Sequence, residues 1–286
     1  MDRAMKALSA GVVAILVGGT PAASAQTAHA ARPATSGATK STEKTLADLE
    51  TDRPDITEGS GVVGTGIWQV ETGVLFQSDR VDPVTSRDIS VPNVLLRVGV
   101  SSRLELRVGG EGFMSESIST PGTGMATGGS DLELSLKYKF LDQEHGGLDF
   151  AVIPLVSLPV GSNDFTTGGY DPTIKFALGR SLPRGFGIGG NLIVSSVTED
   201  THRFTQTSVS ASLAHALGEH WGGFWELYGA SALSRDGGRA WLFDTGVTHT
   251  LGDNVQIDVS VGRGLTTDAP DWFIGAGFAI RGLFAR

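Results

Sequence analysis

The sequence predicts an all-β protein, a twelve-stranded antiparallel transmembrane β-barrel of the outer-membrane type. Three observations predict this fold. From Trp68 onward, twelve successive stretches alternate apolar and polar residues, their connections are alternately long and short, and the amino terminus has the pattern of a secretory signal. Bacterial single-chain barrels have an even number of strands, short periplasmic turns and longer extracellular loops. The strand count and the loop alternation therefore fit a barrel of this type.

Residues 1–25 are predicted to be a signal peptide that is cleaved during export. Two basic residues precede an apolar run that ends near Gly19, and Ala23-Ser24-Ala25 forms a small-residue cleavage site. The apolar run is too short to span a bilayer as a helix. We therefore expect the mature chain to begin at Gln26 and to reach the bacterial outer membrane.

Two segments without regular alternation separate the signal from the barrel. Residues 26–50 are rich in Ala, Thr and Ser and show no sustained period, which predicts a flexible periplasmic arm. Residues 51–65 form a charged pre-barrel segment, in which Pro54 is unsuited to a central strand. Residues 66–286 are assigned to the barrel itself.

The predicted strands follow the alternation of side chains. A tilted strand needs about nine to eleven residues to cross a bilayer, and each predicted strand is long enough. The twelve strands are 66–77, 89–100, 103–113, 130–140, 148–160, 171–182, 185–198, 204–217, 221–233, 240–251, 254–264 and 271–284.

Each predicted strand has one apolar and one polar face. In the fourth strand, Leu134 and Leu136 alternate with Glu133, Ser135 and Lys137, and successive strand residues point to opposite faces. A membrane barrel turns the apolar face to lipid and encloses the polar face, whereas a soluble sandwich buries the apolar face in a core. The signal, the strand count and the loops together favour the barrel, with outer-membrane lipid as its partner.

The inward positions predict a lumen that carries charges of both signs. The alternatives are that these charges only neutralise one another in a narrow barrel, or that a few of them contact solute in a polar passage. The candidate pore-lining residues are Glu71, Arg97, Glu105, Arg107, Glu133 and Lys137, and other inward positions include Lys175, Asn191, Glu226, Asp244 and Asp258.

Two registers are open for the second and third predicted strands. Arg97 lies either opposite Glu105, or opposite Arg107 with Glu105 on the diagonal. Like charges directly opposite each other on a sheet are unfavourable. We therefore prefer the register that sets Arg97 opposite Glu105.

The pre-barrel segment is a candidate plug or constriction of the lumen. It precedes the first strand at the periplasmic mouth, so it is placed to fold back into the barrel. Its charged residues could pair there with lumen charges such as those of Arg97, Arg107 and Lys137. A solvated periplasmic linker is the alternative. The candidate plug residues are Asp52, Arg53, Asp55 and Glu58.

Composition narrows the range of functions. The chain has no cysteine, which excludes disulfides, thiolate metal sites and a cysteine nucleophile. Its six histidines show no metal-binding spacing and no carboxylate companion motif, so we expect neither catalysis nor a bound metal or other cofactor. A formal net charge of −9 argues against nucleic acid as a partner, because phosphate binding requires the opposite sign.

Several short motifs between residues 51 and 284 form a recognisable set. They are Thr51-Asp52-Arg53-Pro54-Asp55, Trp68-Gln69-Val70-Glu71-Thr72-Gly73, Leu95-Leu96-Arg97-Val98-Gly99, Arg103-Leu104-Glu105-Leu106-Arg107, Gly129-Ser130-Asp131-Leu132, Ile153-Pro154, Ser157-Leu158-Pro159-Val160-Gly161, Gly262-Arg263-Gly264-Leu265 and Ala269-Pro270-Asp271-Trp272-Phe273. Together they resemble the outer-membrane family labelled putative MetA-pathway of phenol degradation.

The resemblance implies an outer-membrane channel or transporter for small organic solutes, with aromatic compounds as a candidate class. A structural or enzymatic barrel with a side-chain-filled lumen is the alternative. One departure lies at the carboxyl end. Barrels commonly finish on an aromatic residue that the barrel-assembly machinery reads, whereas here Ala285 and Arg286 follow Phe284. That machinery is nevertheless an expected partner.

Overall fold

The alternating segments fold as antiparallel strands that pair in chain order around a closed barrel. A computed structural model describes residues 49–120, 122–143 and 147–284. One short 3₁₀ turn, Pro183–Gly185, joins two of the strands. The strand segments are β1 Ile67–Val81, β2 Val84–Gly99, β3 Leu104–Gly110, β4 Phe113–Thr120, β5 Gly122–Gly129, β6 Leu132–Leu141, β7 Asp149–Leu158, β8 Asp171–Leu182, β9 Phe186–Glu199, β10 His202–Ala216, β11 Trp221–Ala230, β12 Ala240–Thr250, β13 Val255–Gly264 and β14 Trp272–Leu283.

The fourteen segments make twelve barrel strands. β3 and β4 are two parts of one strand, since both pair with β2 and only residues 111–112 separate them. β5 and β6 likewise continue each other across residues 130–131, with β5 paired to β4 and β6 paired to β3. β1 pairs with both β2 and β14, which closes the ring. The predicted fold class and strand number are confirmed.

Two connections that the sequence predicts to be long loops, residues 78–88 and 114–129, are strand ends instead. β1 continues to Val81 and turns directly into β2 at Val84, while β4 and β5 form a hairpin. Pairing satisfies the backbone N–H and C=O groups of these residues. Their side chains do not alternate in polarity as the other strands do, because an extension beyond the lipid needs no apolar face. The longest loops at the barrel end that holds the β1–β2 turn and the β4–β5 hairpin are residues 159–170 and 231–239.

The first strands share a line of irregularities at one level of the barrel. The β1–β2 register shifts between Gly73 and Leu75, and the breaks at residues 111–112 and 130–131 lie beside it. Gly112 has a φ of 69°, and a Cβ there would lie 2.1 Å from the carbonyl oxygen of Pro92. Glycine is therefore required at this point. Bulges of this kind bend strands.

Outward-facing side chains are apolar and exposed, as a lipid-facing surface requires. Apart from the extended ends of β2, β4 and β5, even-numbered residues such as Leu106 and Leu192 face outward as far as β9. Odd-numbered residues such as Val209 and Val259 do so from β10 to β13, and even-numbered residues such as Ile274 do so again in β14. Glu199 pairs directly with His202 across a two-residue turn, and this turn switches the parity. Among the described residues no helix is long and apolar enough to cross a membrane.

Aromatic rings gather at the barrel end that holds Ile67 and Leu283, which we name the periplasmic end because its turns are short. The rings of Phe186 and His215 stack with centroids 4.1 Å apart, and those of Trp221 and His249 lie 4.3 Å apart. Amphipathic rings are enriched at membrane–water interfaces. These two histidines therefore belong to an interfacial aromatic belt.

The predicted signal peptide, residues 1–25, lies outside the described residues. So do the predicted arm, residues 26–50, apart from its last two residues, and the final residues Ala285 and Arg286.

Replacing Val259 with Arg should destabilise the barrel by about 2–4 kcal/mol, because the new charge would face lipid near the middle of β13. Replacing Leu251 with Arg at the periplasmic turn should cost no more than about 1 kcal/mol, because the charge can reach water there. Urea unfolding in lipid vesicles measures both free energies. Equal losses in the two variants would contradict the assigned membrane level.

Candidate functional site

Residues 51–60, named here the lumen segment, lie inside the barrel and not in the sheet. Asp52, Asp55 and Glu58 retain at most 2 % of their exposure, and Arg53 retains 8 %. Pro54 offers no N–H to a strand ladder. The lumen segment therefore takes its hydrogen bonds from side chains of the wall.

Wall side chains accept hydrogen bonds from the backbone of the lumen segment. The N–H of Asp52 donates to Glu71 Oε2 at 2.8 Å, and the N–H of Glu58 donates to Asn191 Oδ1 at 2.7 Å. Asn191 Nδ2 donates back to the Glu58 carbonyl at 2.9 Å. These polar wall residues replace a neighbouring strand as the partner of the backbone.

Asp52 lies among three cationic side chains of the wall. Arg107 Nη2 donates to Asp52 Oδ2 at 2.7 Å, Lys137 Nζ donates to the same oxygen at 3.0 Å, and Arg97 Nη1 is 3.4 Å away. Burial alone would raise the pKa of Asp52, but the three cations hold it well below its usual range. Asp52 is thus a fixed anion at the cationic part of the lumen.

Arg107 joins two acids of the lumen segment. Besides Asp52, its guanidinium donates to Glu58 Oε2, and Lys175 Nζ donates to Glu58 Oε1 at 2.6 Å. All four side chains are at most 2 % exposed. Charge-assisted hydrogen bonds of this kind are the strong ones in proteins. Arg107 is therefore the point at which both acids are held to the wall.

The preferred register of Arg97 was wrong, because Arg97 lies opposite Arg107. Glu105 takes the diagonal position and accepts two hydrogen bonds from Arg97, at 3.0 and 3.1 Å. Glu71 accepts a third from Arg97 at 3.0 Å, and Asp52 lies close to both guanidinium groups. The acids around the two arginines offset their repulsion, which an argument confined to two strands omitted.

Glu133 is the remaining predicted pore-lining residue. It is buried on the same face of β6 as Lys137, four residues nearer to the extracellular end. At about 3.3 Å per strand residue it lies roughly 13 Å along the strand from Lys137. Glu133 therefore lies further towards the extracellular end than Lys137 and its contact with the lumen segment.

A pair of glycines makes room for Arg53. Arg53 Nη2 is 3.1 Å from Asp258 Oδ1, and its guanidinium lies over Gly73 and Gly277, which are direct partners in the β1–β14 ladder. A Cβ on either glycine would lie 2.5 Å from Arg53 Nη2. The wall is thus thin at the point where the guanidinium rests. Sequence reasoning placed Asp258 in the lumen but gave it no partner.

The other side of the lumen segment meets carboxylates. Ser212 Oγ donates to Asp55 Oδ2 at 2.8 Å, and Glu226 accepts hydrogen bonds from the N–H of Ile56 and the hydroxyl of Thr57. Burial and the nearby Glu226 carboxylate raise the pKa of Asp55 well above its usual range. Within the described part of the chain, no salt bridge reaches Asp55 or Glu226.

The lumen segment thus contacts the wall on many sides. Its hydrogen bonds and ion pairs run to residues of β1, β2, β3, β6, β8, β9, β10, β11 and β13. Contacts around so much of the circumference allow the segment to narrow the lumen and to hold fixed charges there. The sequence analysis named Arg97, Arg107 and Lys137 as partners of the segment, and all three lie at Asp52. It named no partner on β8 to β13.

Comparisons with known proteins give a family and a fold. Residues 51–282 match the family described as putative MetA-pathway of phenol degradation. The structure is similar to that of the COG4313 outer membrane channel from Pseudomonas putida F1, with a TM-score of 0.59 and 13 % identity over 78 % of this chain and 98 % of the other. The NanC porin gives a TM-score of 0.48 and 8 % identity over 74 % and 98 %. No curated protein matches the chain.

Replacing Arg107 with Met should release the lumen segment more than replacing Lys175 with Met. Arg107 holds both Asp52 and Glu58, whereas Lys175 holds Glu58 alone, and unpairing a buried charge costs about 3–5 kcal/mol. Hydrogen exchange of the backbone amides of residues 51–60 measures the release. Equal protection in the two variants would contradict the role given to Arg107.

Proposed function

Since the chain belongs to the family described as putative MetA-pathway of phenol degradation, we propose that it is an outer-membrane channel for small organic solutes. We propose further that the lumen segment is the constriction of this channel, with Asp52, Arg53, Asp55 and Glu58 as the residues that hold it against the wall. Glu71, Arg97, Glu105, Arg107 and Lys137 form the facing wall, and Glu133 lines the passage on its extracellular side.

The observation that carries the proposal is the charge pairing between the lumen segment and the wall. Asp52 pairs with Arg107 and Lys137, and Glu58 pairs with Arg107 and Lys175. Arg53 points in another direction and pairs with Asp258. A solvated linker would leave these charges in water. A charged segment that occupies the lumen requires oppositely charged partners in the wall, because an unpaired buried charge is unfavourable.

The compartment and the partners of the channel follow from the same reasoning. The signal pattern of residues 1–25 supports export with cleavage before Gln26, and residues 26–50 would then form a periplasmic arm. The outward apolar faces support contact with outer-membrane lipid, and a chain that reaches this membrane meets the barrel-assembly machinery. The family description supports phenolic compounds among the solutes.

A structural barrel without transport is the second candidate. The side chains of Arg97, Lys137 and Lys175 are fully buried, so the lumen is filled at their level. Side chains fill barrels of about eight strands, whereas about sixteen strands leave a channel, and twelve strands lie between. Solute flux into liposomes separates the candidates, because a closed structural barrel passes none. Hydrolysis of lipid or peptide would indicate an enzyme instead.

Deletion of Asp52 to Glu58 should raise single-channel conductance in planar bilayers while the barrel remains folded. The reason is that the deletion removes the side chains that occupy the lumen and leaves the strand ladders intact. Arg53→Ala should raise conductance more weakly, since Asp52 and Glu58 keep their own partners.

The matched control removes seven residues, 33–39, from the preceding arm and should leave conductance unchanged. Circular dichroism in detergent verifies that each variant keeps its strands. Unchanged conductance in the Asp52 to Glu58 deletion, with the barrel intact, would reduce the segment to a linker.

A further inference from the structure

Residues 159–170, named here the mouth loop, connect β7 to β8 and fold back onto the inner face of the β4–β5 hairpin. A Cβ on Gly128 would lie 2.5 Å from Ser162 Cβ and 3.0 Å from the ring of Phe165. Gly128 is the ladder partner of Met114, and the side chains of Met114 and Phe165 are both buried. The mouth loop therefore covers part of the hairpin from inside the barrel.

One buried carboxylate holds both ends of the covering part of the mouth loop. The N–H of Gly161 donates to Asp131 Oδ1 at 2.9 Å, and the N–H of Thr167 donates to Asp131 Oδ2 at 3.1 Å. Hydrogen bonds to a charged acceptor are stronger than neutral ones. The sequence motifs around Asp131 and before Gly161 thus meet in space, and Asp131 fixes the position of the loop.

Two acids lie directly opposite each other on the surface that the mouth loop covers. Asp88 of β2 and Glu116 of β4 are ladder partners, and Glu116 is two residues from Met114 on the same face. They are only 6 % and 5 % exposed. Like charges directly opposite each other on a sheet are unfavourable. Ionisation of both acids therefore disfavours the covered arrangement.

The groups around the two acids are neutral or acidic. Gln77 and Ser86 donate to Asp88 Oδ2, at 3.4 and 3.2 Å, whereas Asp88 Oδ1 and Glu116 Oε1 accept no hydrogen bond from the described residues. The nearby charged groups are Asp79 of β1, which acts on Asp88, and Asp164 of the mouth loop, which acts on Glu116. Within the described part of the chain, no salt bridge compensates either acid.

The two acids change charge near neutral pH. Both lie on strand extensions beyond the lipid. Burial raises the pKa of Asp88 to about 6, and burial together with the carboxylates of Asp88 and Asp164 raises the pKa of Glu116 to about 7. The covered arrangement is therefore most stable below about pH 6, where both acids are protonated, and it loses stability as the pH rises past about 7.

We propose that the mouth loop is a pH-dependent gate at the extracellular end, closed over Asp88 and Glu116 while they are protonated and displaced when both are ionised. Ionised Glu116 repels Asp88 beside it and Asp164 on the loop. Asp131 is the positioning residue that holds the closed loop. The inference rests on the proposed channel function and adds a second constriction that responds to protons.

The test measures the distance between the mouth loop and the hairpin. Because the chain has no cysteine, Asn163→Cys and Thr127→Cys place two spin labels without competing thiols, and both positions are exposed. Double electron–electron resonance is recorded on the full-length protein in nanodiscs at pH 5 and pH 8. We expect one short distance at pH 5. At pH 8 the ratio of displaced to closed loop should rise roughly tenfold, the factor for one pKa unit coupled to the loop.

Three substitutions in the labelled protein assign the response. Glu116→Gln keeps the shape and removes the charge, so the short distance should persist at pH 8. Asp82→Asn makes the matched change at an exposed acid of the β1–β2 turn and should respond like the unaltered protein. Asp131→Ala removes both acceptors of the loop and should displace it at either pH. Circular dichroism verifies that the strands remain.

The proposal is overturned if the distance is the same at pH 5 and pH 8, or if Glu116→Gln responds as strongly as the unaltered protein. Single-channel conductance is measured in parallel and should be larger at pH 8, and a measurable conductance that does not follow the distance also overturns the gate. Loop displacement without conductance at either pH would support the pH-dependent cover and remove the channel.

Discussion

The buried ion pairs of Asp52 and Glu58 with Arg107 are the contacts on which the arrangement of the lumen depends. The wall presents Arg97, Arg107, Lys137 and Lys175 inside a space that excludes water, and its own nearby acids are Glu71 and Glu105. Burying a charge without a partner costs several kcal/mol, about as much as many domains can spare. The lumen segment supplies the missing acids. The wall and the segment therefore neutralise each other's buried charges.

The lumen is divided into two regions of different chemistry. Around Arg107 and Lys175, cations and acids are matched pair by pair, and such a region is closely filled. On the other side of the lumen segment, Glu226 and Asp244 are direct ladder partners, near the apolar side chains of Leu242 and Phe273. Asp52 and Glu58 lie in the first region, whereas Asp55 and Ile56, between them in sequence, face the second.

Most of the fold was predictable from the sequence, and the reasons for the failures are physical. Alternation identified the strands because lipid demands an apolar outer face, as Leu106 and Val259 show. It missed residues 78–88 and 114–129, where the strands extend beyond the lipid and neither face is constrained. The same parity assigned Arg97 and Glu105 to the lumen, but their register depends on a segment that is distant in sequence. The position of Arg53 could not be predicted for the same reason, since Gly73 and Gly277 become neighbours only in the closed barrel.

The glycine pair Gly73 and Gly277 connects closure of the barrel with the position of Arg53. Gly73 belongs to the first strand and Gly277 to the last, so the flat surface beneath Arg53 exists only after the two ends of the sheet have met. An open sheet offers the guanidinium half of that surface. The surface on which Arg53 rests is therefore complete only when the ring has closed. The arginine then lies across the seam between β1 and β14 from inside the barrel.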